Sequence, residues 1–573
     1  MRLQTLTLGL LAGSAAVFAQ GFTSQTPAHT GTSPALSSVT GIIPPASGAG
    51  EHDRRSPTRA QLRELAATAP AINPSLVIPA TTTPVQTTLN ALGGVTVGVN
   101  VPGLGNGFNA NWVDQFIVPP DTTMAVGPNH IVQWTNVRLT IMNKAGTPLV
   151  GGALGYIQGN AIWNGLPSGS VCRDTNQGDP ILQYDRISNR WVLSQFAFAV
   201  NGSFNPIAPF AQCIAVSTSG DPTGTYALYE YQFDALPDYG KLGVWTDGYY
   251  ISYNDFTINP TTGSSAFVGA KACAYDRVAM IAGNASAPQG CTARFTNRFA
   301  FLPADLDGST PPPANSPNYV VSQDWFFFAS PPYSVRLQKF KPDFVTPANS
   351  TFNDGIGGAN NTFIGIPLPN LLGACGDVGG ACVPQPATVR VLDTLSMRPM
   401  YRLAYRNRNG VESLVFTHSV DPASGAAATQ ASMHWIELRN PGANPPQVYQ
   451  NGIINTPDAL NRWMGSAAMD SAGNIALGYS VSSGSVNPGI RIAGRYRTDV
   501  RNTLRGELTV VNGGGAQTST AQRWGDYSTM QIDPADDCTF WFTTEYMNTT
   551  ATRDWASRIV SFKFPNCVAA PQN

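Results

Sequence analysis

Charge is scarce in this chain. Of 573 residues, 34 are Lys or Arg and 35 are Asp or Glu, so only 12% are charged, about half the usual share. The net charge of -1 gives no long-range attraction to nucleic acid or to an anionic bilayer. Histidine is scarcer still, with five residues, two of which (His29 and His52) fall in a low-complexity N-terminal stretch. There is no His-Glu-x-x-His, no Cys-x-x-Cys and no EF-hand loop, so zinc and helix-loop calcium have no support. No Gly-x-Ser-x-Gly elbow and no phosphate-binding Gly-rich loop occur either. Beyond the N-terminus no apolar run reaches the ~18 residues that a membrane-spanning helix needs.

What the chain has in quantity is glycine (56), proline (45) and aromatic residues (10%). This is the usage of many short strands and tight turns. Arg2, the apolar run Leu6 to Ala12 and Val17-Phe18-Ala19 before Gln20 form a secretory signal over residues 1–19, with cleavage expected after Ala19. The expected location is therefore extracellular or periplasmic. The eight cysteines fit such a compartment as disulfides. Eight allow 105 connectivities, and nearest-neighbour pairing is the simplest: Cys172 with Cys213, Cys273 with Cys291, Cys375 with Cys382, Cys538 with Cys567.

Residues 20–108 are rich in Thr, Pro, Ala, Ser and Gly with few aromatics. Such a stretch buries too little apolar surface to offset chain entropy, and it reads as a disordered leader or pro-segment. Arg54-Arg55 is a processing candidate ahead of a short helical pattern at 57–66. From 109 to 567 the chain becomes a succession of hairpins, and 568–573 is a tail.

The hairpins alternate apolar and polar side chains around acidic or glycine turns, a strong local β signal. Arg523 to Asp533 and Thr539 to Glu545 make one around Asp537-Cys538; equivalent pairs start at Asp121, Asp179, Lys241, Tyr401 and Met464. A degenerate seventh copy falls at Asn318 to Phe340. Four strands recurring about every 60 residues predict an all-β fold, a β-propeller of seven four-stranded blades, over paired β-sandwiches.

The blocks Asn461-Arg462-Trp463-Met464-Gly465-Ser466 and Arg523-Trp524-Gly525-Asp526-Tyr527-Ser528, with Cys538-Thr539-Phe540-Trp541, resemble exported bacterial β-propeller proteins of mostly unassigned function. That resemblance covers most of 109–567 and implies location and fold without an activity. More distantly, the Asp-turn hairpins resemble the Asp-box repeats of sialidases.

In a propeller the first strand of each hairpin lines the central channel, so residues just upstream gather at one mouth. Counting back from each turn places Asp121, Asp179, Lys241, Arg402, Arg462, Arg523 and Asp526 there. Either these charges pair across blades and close the channel, or the arginines converge on a carboxylate or sulfate. In the second case Asp179 and Asp526 are the acid/base candidates, Glu545 or Tyr527 the nucleophile, and His130 or Tyr239 a proton acceptor. Trp463 and Trp524, beside the arginines, would flank a sugar ring. No cofactor is identified. The acidic turn Asp533-Pro534-Ala535-Asp536-Asp537 offers calcium its carboxylate and carbonyl oxygens. Two functions remain open, a hydrolase or lyase acting on an acidic glycan at the channel mouth and a monomeric binding or adhesion module for an extracellular glycan or protein.

Overall fold

The computed structural model describes residues 21–40, 76–79, 81–89, 92–110, 112, 117–323, 334–356, 362–367, 372–375, 380–396, 398–422 and 430–568. The signal segment, Arg54-Arg55 and the 57–66 pattern lie outside them. The described chain is all-β. Its two α-helices, Val171–Asp174 and Arg277–Ile281, are single turns beside the sheets.

All six hairpins expected from alternation are antiparallel pairs. Ile181–Asp185 runs against Arg190–Val200 with Asp185 opposite Arg190, and Asn461–Met469 runs against Ile475–Ser482 with Met469 opposite Ile475. The other four follow the same scheme. Each hairpin extends into a meander of further antiparallel strands. Every residue of Ile475–Ser482 is buried, because one sheet face packs on the preceding meander and the other on the next, as in face-to-face sheet packing.

The first strands carry the architecture. Thr123–Val126, Ile181–Asp185, Leu236–Val244, Leu302–Asp307, Met400–Arg408, Asn461–Met469 and Thr529–Ile532 each touch the next, and the last returns to touch the first. They therefore close a ring. The expected degenerate copy is explained at this ring. Leu302–Asp307 pairs with Asn318–Gln323 only at Leu302 and Pro303, then turns to pair in parallel with Leu403 to Arg406 of the following meander. The hairpin pattern there falls on the second and third strands, Asn318–Gln323 and Ser334–Lys341.

The leader expectation needs correction. Thr96–Gly103 pairs along Ala556–Lys563 and completes the sheet of Thr529–Ile532. Thr23–Gln25 adds to Gln289–Cys291, His29–Thr32 to Tyr226–Phe233, Leu76–Val77 to Ile364–Pro367 and Val85–Gln86 to Gln447–Ile454. A composition argument misses these strands because their contribution is backbone hydrogen bonding at sheet edges that would otherwise stand open. Such pairing asks little of the side chains.

The eight cysteines form four disulfides, each joining the expected neighbours.

One conformational feature recurs at the upstream end of the ring. Asp121, Asp179, Tyr239, Ala300, Met464 and Asp526 all have φ between 52° and 60°. Side chains bearing a Cβ rarely adopt this left-handed conformation. Five of them sit two residues ahead of Thr123, Ile181, Lys241, Leu302 or Ser466 on a first strand, and Asp526 sits three ahead of Thr529. At Tyr239 and Met464 the pairing register slips, between Asp238 and Lys241 and between Trp463 and Ser466. The slip turns the chain into the ring and aims its side chains at the mouth.

Candidate functional site at the upstream mouth of the ring

Three left-handed residues, Asp179, Tyr239 and Asp526, meet at this mouth together with Lys241 and Tyr527. Asp179 is 6% exposed. Its Oδ2 accepts from the Tyr239 backbone N at 3.1 Å and from the Tyr527 hydroxyl. Lys241, 1% exposed, lies between two aromatic faces, with Nζ 3.3 Å from the Tyr239 ring centre and 3.7 Å from that of Tyr527. Its ammonium donates to the Gly240 carbonyl at 3.1 Å and, more weakly, to that of Tyr239 at 3.4 Å.

Burial pulls Lys241 from 10.5 down to about 7, with Asp179, Asp526 and Asp121 opposing and Arg398 assisting. The tyrosine faces add a further preference for the ammonium. An amine in this range exchanges protons at neutral pH. Burial drives both phenols the other way, Tyr239 well above 10 and Tyr527 likewise. They remain protonated, so the Tyr239 phenol does not serve as the proton acceptor expected from sequence.

Arg398, which sequence reasoning did not single out, completes the cluster. Its guanidinium carbon lies 4.6 Å from the Tyr239 ring centre and 4.8 Å from that of Phe299. The residue is 3% exposed, and Nε and Nη2 have no hydrogen-bond partner among the described residues. Arg523 is differently placed. It donates to Asp526 and stands 3.4 Å from Asp393, another member missed earlier. Asp121 joins through its backbone N, which donates to the Gly525 carbonyl at 3.1 Å. The only sequence signal for Arg398 was its position four residues ahead of Arg402 on the same entering segment.

Several expected members lie elsewhere. Arg402 sits inside the ring, its Nε 2.6 Å from Asp305 and its Nη2 2.7 Å from Asp307, while Nη1 donates to the Met530 carbonyl at 3.0 Å. Burial pushes Asp305 up to about 6 against the opposing charge of Arg402. Arg462 is held by Asp458 at 2.7 Å and Glu507 at 2.7 Å. Arg402 thus pairs with carboxylates of the preceding meander, as the charge-pairing expectation has it, whereas Arg462 pairs with acids of its own meander. Trp463 and Trp524 are fully buried with ring centres 5.9 Å apart, and the Trp524 indole donates to Ser480 at 3.0 Å. Both are core residues and present no face to a sugar.

Glu545, expected as a nucleophile, is also fully buried. It accepts from the Gly525 N at 2.6 Å, and burial, assisted by Asp526, raises it well above the ordinary carboxylate range. A fully buried carboxyl that anchors the Arg523–Asp526 loop is not placed to attack a substrate. His130 begins the strand His130–Thr135 at the opposite, turn-side end of the ring.

That turn-side end holds a cavity of about 640 Å³, bordered by Tyr184, Arg186, Ser309, Thr310, Asp536 and Asp537 among others. Its carboxylates are engaged within the protein. Asp537 receives Arg406 at 2.8 and 3.0 Å and Arg186 at 3.2 Å, Asp536 receives Lys563 at 3.1 Å, and Asp533 receives Lys144 at 2.5 Å. The acidic turn offered to calcium thus holds lysine and arginine, and among the described residues no group of three or more potential ligands assembles. The shifted lysine and the Arg398 guanidinium lie at the other mouth.

No family model matches the chain, and no curated protein matches it. Among solved structures it is similar to a protein of unknown function from Dyadobacter fermentans DSM 18053, with 10% identity over 67% of this chain and 94% of that one and a TM-score of 0.26. It is similar to the polysaccharide lyase Uly1, with 8% identity over 83% and 99% of the chains and a TM-score of 0.37. It is also similar to the WD40 domain of SCAP from fission yeast, with 10% identity over 85% and 94% and a TM-score of 0.32. Neither family suggested by the sequence is established by these likenesses.

Proposed function

We propose that this chain is an exported seven-bladed β-propeller that cleaves an acidic glycan by elimination at the upstream mouth. Seven first strands in contact around a closed ring support the blade count, with Thr96–Gly103 supplying the outer strand that closes the last blade. The signal segment, four disulfides and the lack of a membrane-spanning helix among the described residues are in keeping with export.

One observation carries the chemistry. Arg398 presents two buried N–H groups, without a hydrogen-bond partner among the described residues, beside a lysine shifted to about 7. A guanidinium of this kind recognises a planar carboxylate and stabilises the charge that develops on it when the adjacent carbon loses its proton. Lys241, in its neutral form, takes that proton. The C–H electron pair becomes the new carbon–carbon double bond as the glycosidic C–O bond breaks, and the Tyr239 phenol protonates the departing oxygen. Asp179 holds Tyr527 and the Tyr239 backbone in place. Elimination is preferred over hydrolysis because Asp526 is tied to Arg523, Asp179 to Tyr527, and Glu545 is buried on the Gly525 N.

A second reading rests on the 1% exposure of Lys241. A base so enclosed suits a channel plug, and the protein would then be a non-catalytic module binding a glycan or protein with its loops. Incubation with polyuronates and with neutral polysaccharides separates the two. Unsaturated-uronate absorbance that disappears in Lys241→Met and Arg398→Gln supports elimination. Reducing ends without that absorbance would indicate hydrolysis, and binding without product would support the second reading.

A further inference from the structure

A second cluster of arginines gathers on the turn side of the ring, away from the Lys241 mouth. Arg408 ends the strand Met400–Arg408, Arg439 ends Ser432–Arg439, and Arg497 and Arg501 follow Gly489–Arg495. Gly473, in the turn after Asn461–Met469, has φ +87°, and a Cβ there would stand 3.0 Å from Arg408 Nε and 3.0 Å from Arg497 Cδ. A glycine is thus what lets two like-charged side chains pass so close. Arg439 lies 3.2 Å above the Tyr449 ring and Arg501 4.9 Å from it, so the tyrosine gathers two more guanidiniums.

Acids offset this group only in part. Glu437 is bonded by Arg439 at 2.7 Å and by Gln450. Asp499 is bonded by Arg505 at 2.7 and 2.9 Å, and Asp470 by Asn474 at 2.7 and 2.8 Å. Arg408 makes no ion pair with any of them, and its Nε is buried without a hydrogen-bond partner among the described residues. Burial, then Arg497 and Arg439, pull its guanidinium below the usual arginine value, an electrostatic strain that a bound anion would relieve.

We infer that Arg408, Arg439, Arg497 and Arg501 form a binding site for the oxyanions of an acidic polysaccharide, distinct from the upstream mouth. Forked guanidinium donors match sulfate and carboxylate oxygens, and a repeating polymer engages several arginines at once. The overall charge of -1 makes the attraction local to this patch.

The test is equilibrium binding of heparin to the full chain, with dextran as the neutral control. Heparin is expected to bind, dextran not, and added sulfate to compete more strongly than chloride at equal ionic strength. Arg408→Gln/Arg497→Gln should weaken heparin binding at least tenfold. Arg553→Gln/Lys341→Gln, which removes the same charge elsewhere, should change it less than twofold. Equal weakening in both pairs would overturn the site in favour of net charge alone. So would a failure of the unmodified chain to bind heparin, whatever the variants do. Binding to phosphatidylglycerol vesicles without heparin binding would overturn it in favour of a membrane surface. Melting temperatures within a few degrees of the unmodified chain keep folding out of the comparison.

Discussion

Lys241 stands with its ammonium nitrogen 3.3 Å from the centre of the Tyr239 ring, two residues before it in sequence. The register slip between Asp238 and Lys241, with Tyr239 at φ 58°, makes this contact possible. In a regular strand residues two apart point the same way about 6–7 Å from each other. Here the left-handed residue folds the phenol back over the amine.

The consequence for stability has a definite sign. The folded value of Lys241 is about 7 against an ordinary 10.5, so between those values the unfolded chain binds a proton that the folded chain does not. Stability therefore rises with pH across that window, by at most about 1.4 kcal/mol per pH unit. Lys241→Met removes the ionisable group and keeps the apolar stem. It should melt no lower than the unmodified chain near pH 7 and show a flatter pH dependence up to about 10. Parallel slopes in the two proteins would mean that Lys241 keeps its charge in the fold.

The histidines make a prediction of the same sign in a more acidic window. His418 and His434 are fully buried and bonded ring to ring, with Gln323 2.9 Å from His418 Nδ1 and Asn451 3.1 Å from His434 Nε2. Burial takes His434 from 6.5 to about 4 and His418 well below its ordinary value, helped by His434. Below about 6.5 the unfolded chain gains protons that the folded chain refuses, so stability falls as pH drops toward 4, by about 1.4 kcal/mol per pH unit for each ring. Melting curves at successive pH values should show this loss, and His418→Asn/His434→Gln should lose less between the same limits. An equal loss in both would assign the acid sensitivity to carboxylates.

The hairpins were legible because alternation is a property of consecutive residues, and every one of them is present. The mouth was legible in part. Asp179, Lys241, Asp526 and Tyr527 do come together, since upstream positions converge wherever first strands form a ring. A count along the sequence cannot see a register slip. It therefore placed Arg402 at the mouth when Arg402 is inside the ring on Asp305 and Asp307, and it passed over Arg398. Trp463 and Trp524 misled for a related reason. Adjacency to an arginine along a strand puts the two side chains on opposite faces, so Trp463 next to Arg462 points into the core, and Trp524, ahead of Thr529–Ile532, packs against it there.

The N-terminal strands yield the last prediction. Thr23–Gln25 and His29–Thr32 are short additions at the outer edges of two sheets. Deleting residues 20–40 exposes those edges but leaves the ring intact, and the product should remain soluble with a lower melting temperature. Thr96–Gly103 is different, because it pairs along most of Ala556–Lys563, and Gln133 ties it further in, accepting from the Leu104 N at 2.7 Å. Deleting 20–108 takes away the whole outer strand of the closing sheet and leaves a long apolar edge, including Ile559, Val560 and Phe562, open to solvent. This product should aggregate or melt without a cooperative transition. The two deletions therefore diverge if the N-terminal segment belongs to the fold. A soluble 109–573 chain melting like the full protein would show that the ring closes without Thr96–Gly103, and the segment would then be the removable leader that its composition suggests.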